Sequence, residues 1–119
     1  MSDYHEPWDA IPEEAREIHR ALKSLQEELE AADWYHQRVV TCRNAALRDI
    51  LAHHRDEEIE HACMLLEWLR REMPEWDTQL RTYLFTEAPI VHEEAAAEHE
   101  SAEAVPAGGG LRIGSLRGK

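Results

Sequence analysis

A chain of 119 residues has room for one small domain and a tail, and a domain of that size buries so little of its surface that association with further copies is expected. Its five glycines all lie at or beyond position 108, and helix-forming residues dominate the rest, which predicts an all-α fold. A formal net charge of -12 argues against nucleic acid and anionic membrane as partners and suits cations, although many acidic helical proteins are acidic only for solubility.

Residues 1–12 read as an N-terminal arm, with Pro7 and Pro12 as breakers. A helix is expected from about Pro12-Glu13-Glu14, where acids suit the first turn, to about Val40. Ile18, Leu22, Leu25, Leu29 and Ala32 recur at steps of four and three and predict its apolar stripe. The polar stretch Thr41-Cys42-Arg43-Asn44 breaks the rhythm and predicts a short turn. A second helix is predicted from about Ala45 to Glu72, with Leu47, Ile50, Leu51, His54, Glu58, His61, Leu65, Trp68 and Leu69 on one face and Pro74 marking its end. Two long antiparallel helices joined by so short a loop make an αα-hairpin. A third, shorter helix is expected over Glu75 to Phe85, and after Pro89 a polar helix resumes over 90–100.

Pro106 and the run Gly108-Gly109-Gly110 mark residues 101–110 as a flexible linker, and residues 111–119 turn apolar and basic. The expected division is an arm at 1–12, a helical domain at 13–100, a linker at 101–110 and a distinct tail at 111–119. No leader opens the chain, and no apolar run approaches the roughly 18 residues of a membrane span. Cys42 and Cys63 show neither CxxC spacing nor a disulfide framework and are expected to be packing residues, so the expected location is the reducing cytoplasm.

The informative residues are charged ones at apolar positions. Glu58 lies seven residues after Leu51 and seven before Leu65, and His61 lies four before Leu65. A bare buried carboxylate is costly unless it is paired or bound to metal. The Glu-x-x-His spacing lets both side chains reach one point. On the first helix Glu28 follows Leu25 by three and precedes Ala32 by four, whereas Glu27, Glu30 and Trp34 fall on another side. One inward Glu and one inward Glu-x-x-His are half of the ligand set of a ferritin-like di-iron carboxylate bundle. A two-fold axis relating two copies would complete it, and such carboxylate-rich ligation suits iron. The same pattern fits a buried Glu58–His61 ion pair, or a helix turned so that both face water.

Tyr35 is a candidate hydrogen-bond partner for these ligands. His54, one turn before Glu58, reads as a half-buried hydrogen-bonded histidine or a peripheral ligand. His53 lies on the flank, and His5, His19, His36, His92 and His99 read as surface. Trp34, Trp68 and Trp76 read as core or interface anchors.

The segments Glu27 to Tyr35, Ile50 to Ala62, Leu66 to Arg71 and Leu80 to Glu87 together resemble the encapsulated ferritins, as ordered blocks spanning roughly residues 17 to 90. Independently, Leu111 to Leu116 resembles an encapsulin cargo-loading peptide, with Leu111, Ile113 and Leu116 as its apolar anchors. The resemblance implies a two-helix subunit that dimerises into a ferritin-like four-helix bundle and assembles into a ring-shaped decamer. It implies a di-iron ferroxidase centre between subunits, mapped onto Glu28, Glu58 and His61, that oxidises Fe(II) and feeds Fe(III) to mineral stored inside an encapsulin nanocompartment. Glu27 and Glu30 match acidic metal-access positions, Trp34 and Tyr35 match positions near the site, and His54 departs from the family pattern at the periphery. Calcium or other divalent ions at peripheral sites are implied as well. Two rival readings keep the metal and change its use: a di-iron peroxide reductase, against which the lack of a rubredoxin-like cysteine set counts, and a structural cargo or adaptor bridged by zinc or calcium.

Overall fold

The computed structural model describes residues 3–93. The expected linker at 101–110, the tail at 111–119 and most of the polar helix at 90–100 lie outside the described residues, although residues 90–93 are helical. The described residues are all helical or irregular, in the order of a 3-10 turn at Trp8–Ala10, then α1 (Glu13–Thr41), α2 (Ala45–Glu72) and α3 (Pro74–Tyr83). None of the helices is long and apolar enough to cross a membrane.

The chain falls into two compact units, Met1–Leu69 and Arg70–Lys119. In the first, α1 and α2 pair antiparallel. Glu28 meets His61, Tyr35 meets His54 and His36 meets Arg55, so α2 retreats residue for residue as α1 advances. The buried and half-buried positions include a run along α1, Ile18, Ala21, Leu25, Glu28, Ala32, Tyr35 and Val39, and a run along α2, Arg48, Leu51, Arg55, Glu58, Ala62, Leu65 and Leu69. Both sets alternate steps of three and four, the spacing of a narrow coiled-coil seam. The predicted α1 stripe is therefore corrected in phase. Leu25 and Ala32 face the seam, but Leu22 and Leu29 are 38% and 55% exposed and lie on its flank. On α2, Leu47, Ile50 and Trp68 are likewise exposed. A two-helix seam has room for only two positions in seven, so the wider apolar faces extend beyond it.

Each end of the hairpin loop is fixed by a polar contact. The Leu47 amide donates to Asn44 Oδ1 at 2.9 Å, which makes Asn44 the N-cap of α2. Arg48 Nε donates to the Cys42 carbonyl at 3.2 Å. The N-terminal arm lies back along α1: Trp8 stacks under the Arg16 guanidinium at 3.4 Å, Tyr4 stacks on His19 at 4.3 Å, and Asp3 pairs with Lys23 at 3.4 Å. In the second unit, α3 begins with Pro74 in its first turn, where its missing N–H costs nothing. Asp77 accepts hydrogen bonds from Arg70 and, at 2.9 Å, from Arg81 Nε.

Candidate metal centre

Glu28 and Glu58 occupy seam positions that coiled-coil packing reserves for apolar side chains, while His61 sits at the rim. Antiparallel pairing brings the three together: His61 Nδ1 lies 3.4 Å from Glu28 Oε1 and 3.4 Å from Glu58 Oε1. One donor atom from each residue falls within 4.8 Å of the others. The carboxylate side chains are 27% and 24% exposed and the imidazole 47%, so the cluster is open on the His61 side.

The electrostatics are those of two carboxyls and one imidazole held close together. The adjoining Glu58 carboxyl, which favours a shared proton, and then burial hold the Glu28 pKa above the ordinary glutamate range, against the opposing charge of His61. Burial acts to lower the His61 pKa, but the two carboxylates facing it outweigh that and hold it above the ordinary histidine range. The 3.4 Å contacts are those of ion pairs, too loose to count as hydrogen bonds, and Glu28 Oε1 is buried with no hydrogen-bond partner. An orphaned carboxylate oxygen facing a second carboxylate and an imidazole matches the donor chemistry that a divalent transition metal takes.

The other expected site residues fall around this cluster in different ways. Tyr35 shares the seam, but its ring packs edge-on to His54 at 5.2 Å and lies under the Arg38 guanidinium at 5.2 Å. His54 is half-buried, and His53 is exposed and paired with Glu57 at 3.1 Å. Glu27, Glu30 and Trp34 are exposed together on the side of α1 turned away from the seam, with Trp34 lining a shallow groove beside Gln37, Arg38 and Thr41. His36, read as surface, is exposed, but its Nδ1 accepts a hydrogen bond across the hairpin from Arg55 Nη1 at 3.1 Å. Cys63 is exposed in the single chain, so the reading of it as a packing residue fails there, and Cys42 is half-buried. Leu111, Ile113 and Leu116 lie outside the described residues. What sequence reasoning missed is the Asp77 clamp with Arg70 and Arg81: the Asp77–Arg81 spacing was a visible signal, whereas Arg70 arrives only through the turn into α3.

Comparison with known proteins finds a family and relatives that cover most of the chain. The profile of the EncFtn-like family matches residues 3–87. A ferritin-like protein of Thermotoga maritima is 55% identical over 98% of this chain and 100% of its own length. An encapsulated ferritin-like protein of Rhodospirillum rubrum is 50% identical over 97% of this chain and 88% of its own. The crystal structure of protein ne0167 from Nitrosomonas europaea, 55% identical, superposes with a TM-score of 0.71 over 75% of this chain and 98% of that one. With its hairpin, its carboxylate–histidine cluster and these matches, the chain belongs to the EncFtn-like, encapsulin-associated ferritin-like family.

Proposed function

We propose that the chain is a ferroxidase whose catalytic centre forms where two copies bring their Glu28, Glu58 and His61 clusters face to face. The observation that carries this reading is the buried Glu28 Oε1, which has no hydrogen-bond partner and sits where two carboxylates face a single imidazole, an excess of negative charge that a cation would balance. Three donors are too few to saturate an iron, and a two-fold axis doubles them to the four carboxylates and two imidazoles of a ferritin-like di-iron site.

Fe(II) is the substrate in this reading. The carboxylates of Glu28 and Glu58 favour the higher charge of Fe(III), so ligation makes loss of an electron easier. Two irons held side by side supply one electron each to a single O₂. His61 fixes the geometry from the exposed edge. Glu27, Glu30 and Trp34 are proposed to lie on the route by which Fe(II) reaches the centre, and Tyr35 and His54 to support it from the seam. Such a small subunit encloses no storage volume, so the Fe(III) is passed on. In keeping with the encapsulated relative, the destination proposed is mineral inside an encapsulin compartment, reached through Leu111, Ile113 and Leu116 docking in the shell. A ring-shaped decamer is the proposed assembly.

The test is Fe(II) oxidation in air, followed at the ferric absorbance band, with assembled fractions compared against monomer. Oxidation well above the uncatalysed rate, confined to assembled fractions and lost in Glu28→Ala, Glu58→Ala and His61→Ala, is the expected result. Wild-type rates in all three variants would remove the site. Metal binding without O₂ consumption would leave a metal-bridged adaptor, and turnover only with peroxide would make the chain a peroxide reductase.

A further inference from the structure

Phe85, the one phenylalanine of the chain, follows the end of α3 with a backbone φ of 60° and a fully exposed side chain. A left-handed residue just past a helix end is common, but glycine ordinarily fills it because any Cβ is crowded there. A phenylalanine at that position bears the crowding and also leaves an apolar ring in water. No described residue covers the ring, so nothing described compensates either effect. Leu84, Ile90 and Val91, close by in sequence, are 44%, 71% and 76% exposed. A helix cap alone needs no aromatic side chain, and an outlier of this kind points to a use outside the chain.

The first unit carries a matching feature. A groove along α1 is lined by Leu22, Leu25 and Leu29 together with Asp3, His19, Lys23 and Gln26. Apolar side chains exposed among polar ones are what an aromatic anchor from a protein partner buries. At about 100° per residue, Leu22 and Leu29 are turned roughly 100–120° around α1 from Glu28, so the groove is a different surface from the metal cluster.

We propose that Phe85 of one copy of this chain inserts into the Leu22–Leu29 groove of a second copy. The occupant is a second copy because knob and socket are both built into the same sequence, and because four buried apolar residues, only Leu69 of them fully buried, are a thin core among the described residues for a chain that stays alone. Knob and socket are different surfaces, so the contact is head-to-tail and, repeated, closes a ring, or is reciprocated within a pair. It leaves the Glu28–Glu58–His61 face free for its own contact and does not rest on the iron reading.

The test places p-benzoylphenylalanine at position 85 of the full chain, exchanges heavy-isotope-labelled and unlabelled subunits, irradiates the assembled protein and maps the linked peptides by mass spectrometry. Heavy-to-light links joining position 85 to residues 19–29 are expected. Links only within one chain, including to its own residues 94–119, links to another surface of the second copy, or no links at all overturn the proposal. Phe85→Gly relaxes the backbone and removes the ring. Its helicity by circular dichroism should be unchanged while sedimentation velocity shifts toward smaller species, and Leu29→Arg should give the same shift. An unaltered size distribution in both variants is the opposing result.

Discussion

Glu28 is stable only in company: its half-buried carboxyl lies beside another, and its buried Oε1 has no hydrogen-bond partner. Such groups are retained at functional sites at the expense of fold stability. Its raised pKa sets the sign. A carboxyl whose folded pKa lies above its unfolded value weakens the fold once pH rises above the unfolded value, and the loss is complete above the folded one. Glu28→Gln removes the repulsion from Glu58 at nearly constant volume, so the chelated variant should melt higher than the chelated wild type at pH 7, by about 2–5 °C. Adding Fe(II) anaerobically, or Zn(II) as a redox-silent substitute, should raise the wild-type melting temperature and leave the variant unmoved. A variant that melts lower when metal-free would show that Glu28 is a structural residue with a partner in the fold.

Among the elements, the hairpin was almost fully legible from sequence, because steps of three and four and the polar break at 41–44 report helix and loop directly; α2 begins and ends where Ala45 and Glu72 were expected to bound it. The phase of the α1 stripe was not legible. Leu22 and Leu29 satisfy the same periodicity as Leu25 but lie on a flank, and periodicity cannot tell a seam inside one chain from a surface awaiting another. The cluster of Glu28, Glu58 and His61 could be read because misplaced charge stands out in an apolar stripe. The antiparallel register that brings the Glu58–His61 pair of α2 to Glu28 is set by the loop, and there Asn44 is the test: Asn44→Ala should cost about 1 kcal/mol of stability and Asn44→Asp much less, measured by urea unfolding. In α3, burial acts to raise the Asp77 pKa, but its hydrogen bonds and charge pairing with Arg70 and Arg81 outweigh burial and hold it below the ordinary aspartate range. That stabilisation is full above the unfolded pKa, near ~3.9, and fades as pH falls through the lower folded value. Asp77→Asn should therefore speed hydrogen exchange of the α3 amides roughly tenfold at pH 6, with the difference from wild type disappearing at the acid end; equal protection at pH 6 would mean that packing alone holds α3.

At the scale of the whole molecule the net charge of -12 acts in two opposite directions. Copies that approach one another repel, so assembly should strengthen as salt screens them, with a Debye length near ~10 Å at 0.1 M. Cations are drawn in by the same field, so capture of Fe(II) by an assembled particle should slow as salt rises. Measured at low protein concentration, the two effects would blur into a weak salt dependence. They separate when the protein is concentrated enough to be fully assembled throughout. Stopped-flow oxidation from about 20 to 300 mM NaCl should then fall monotonically, by roughly threefold to tenfold, as expected for a steered encounter. Sedimentation at a tenth of that concentration should show the larger species gaining over the same range. Charge reversal at the exposed access residues, Glu27→Lys with Glu30→Lys, should flatten the kinetic salt dependence while leaving the cluster intact. If the rate of the assembled protein is indifferent to salt, the acidic surface serves solubility alone and Fe(II) reaches Glu28, Glu58 and His61 by unguided diffusion.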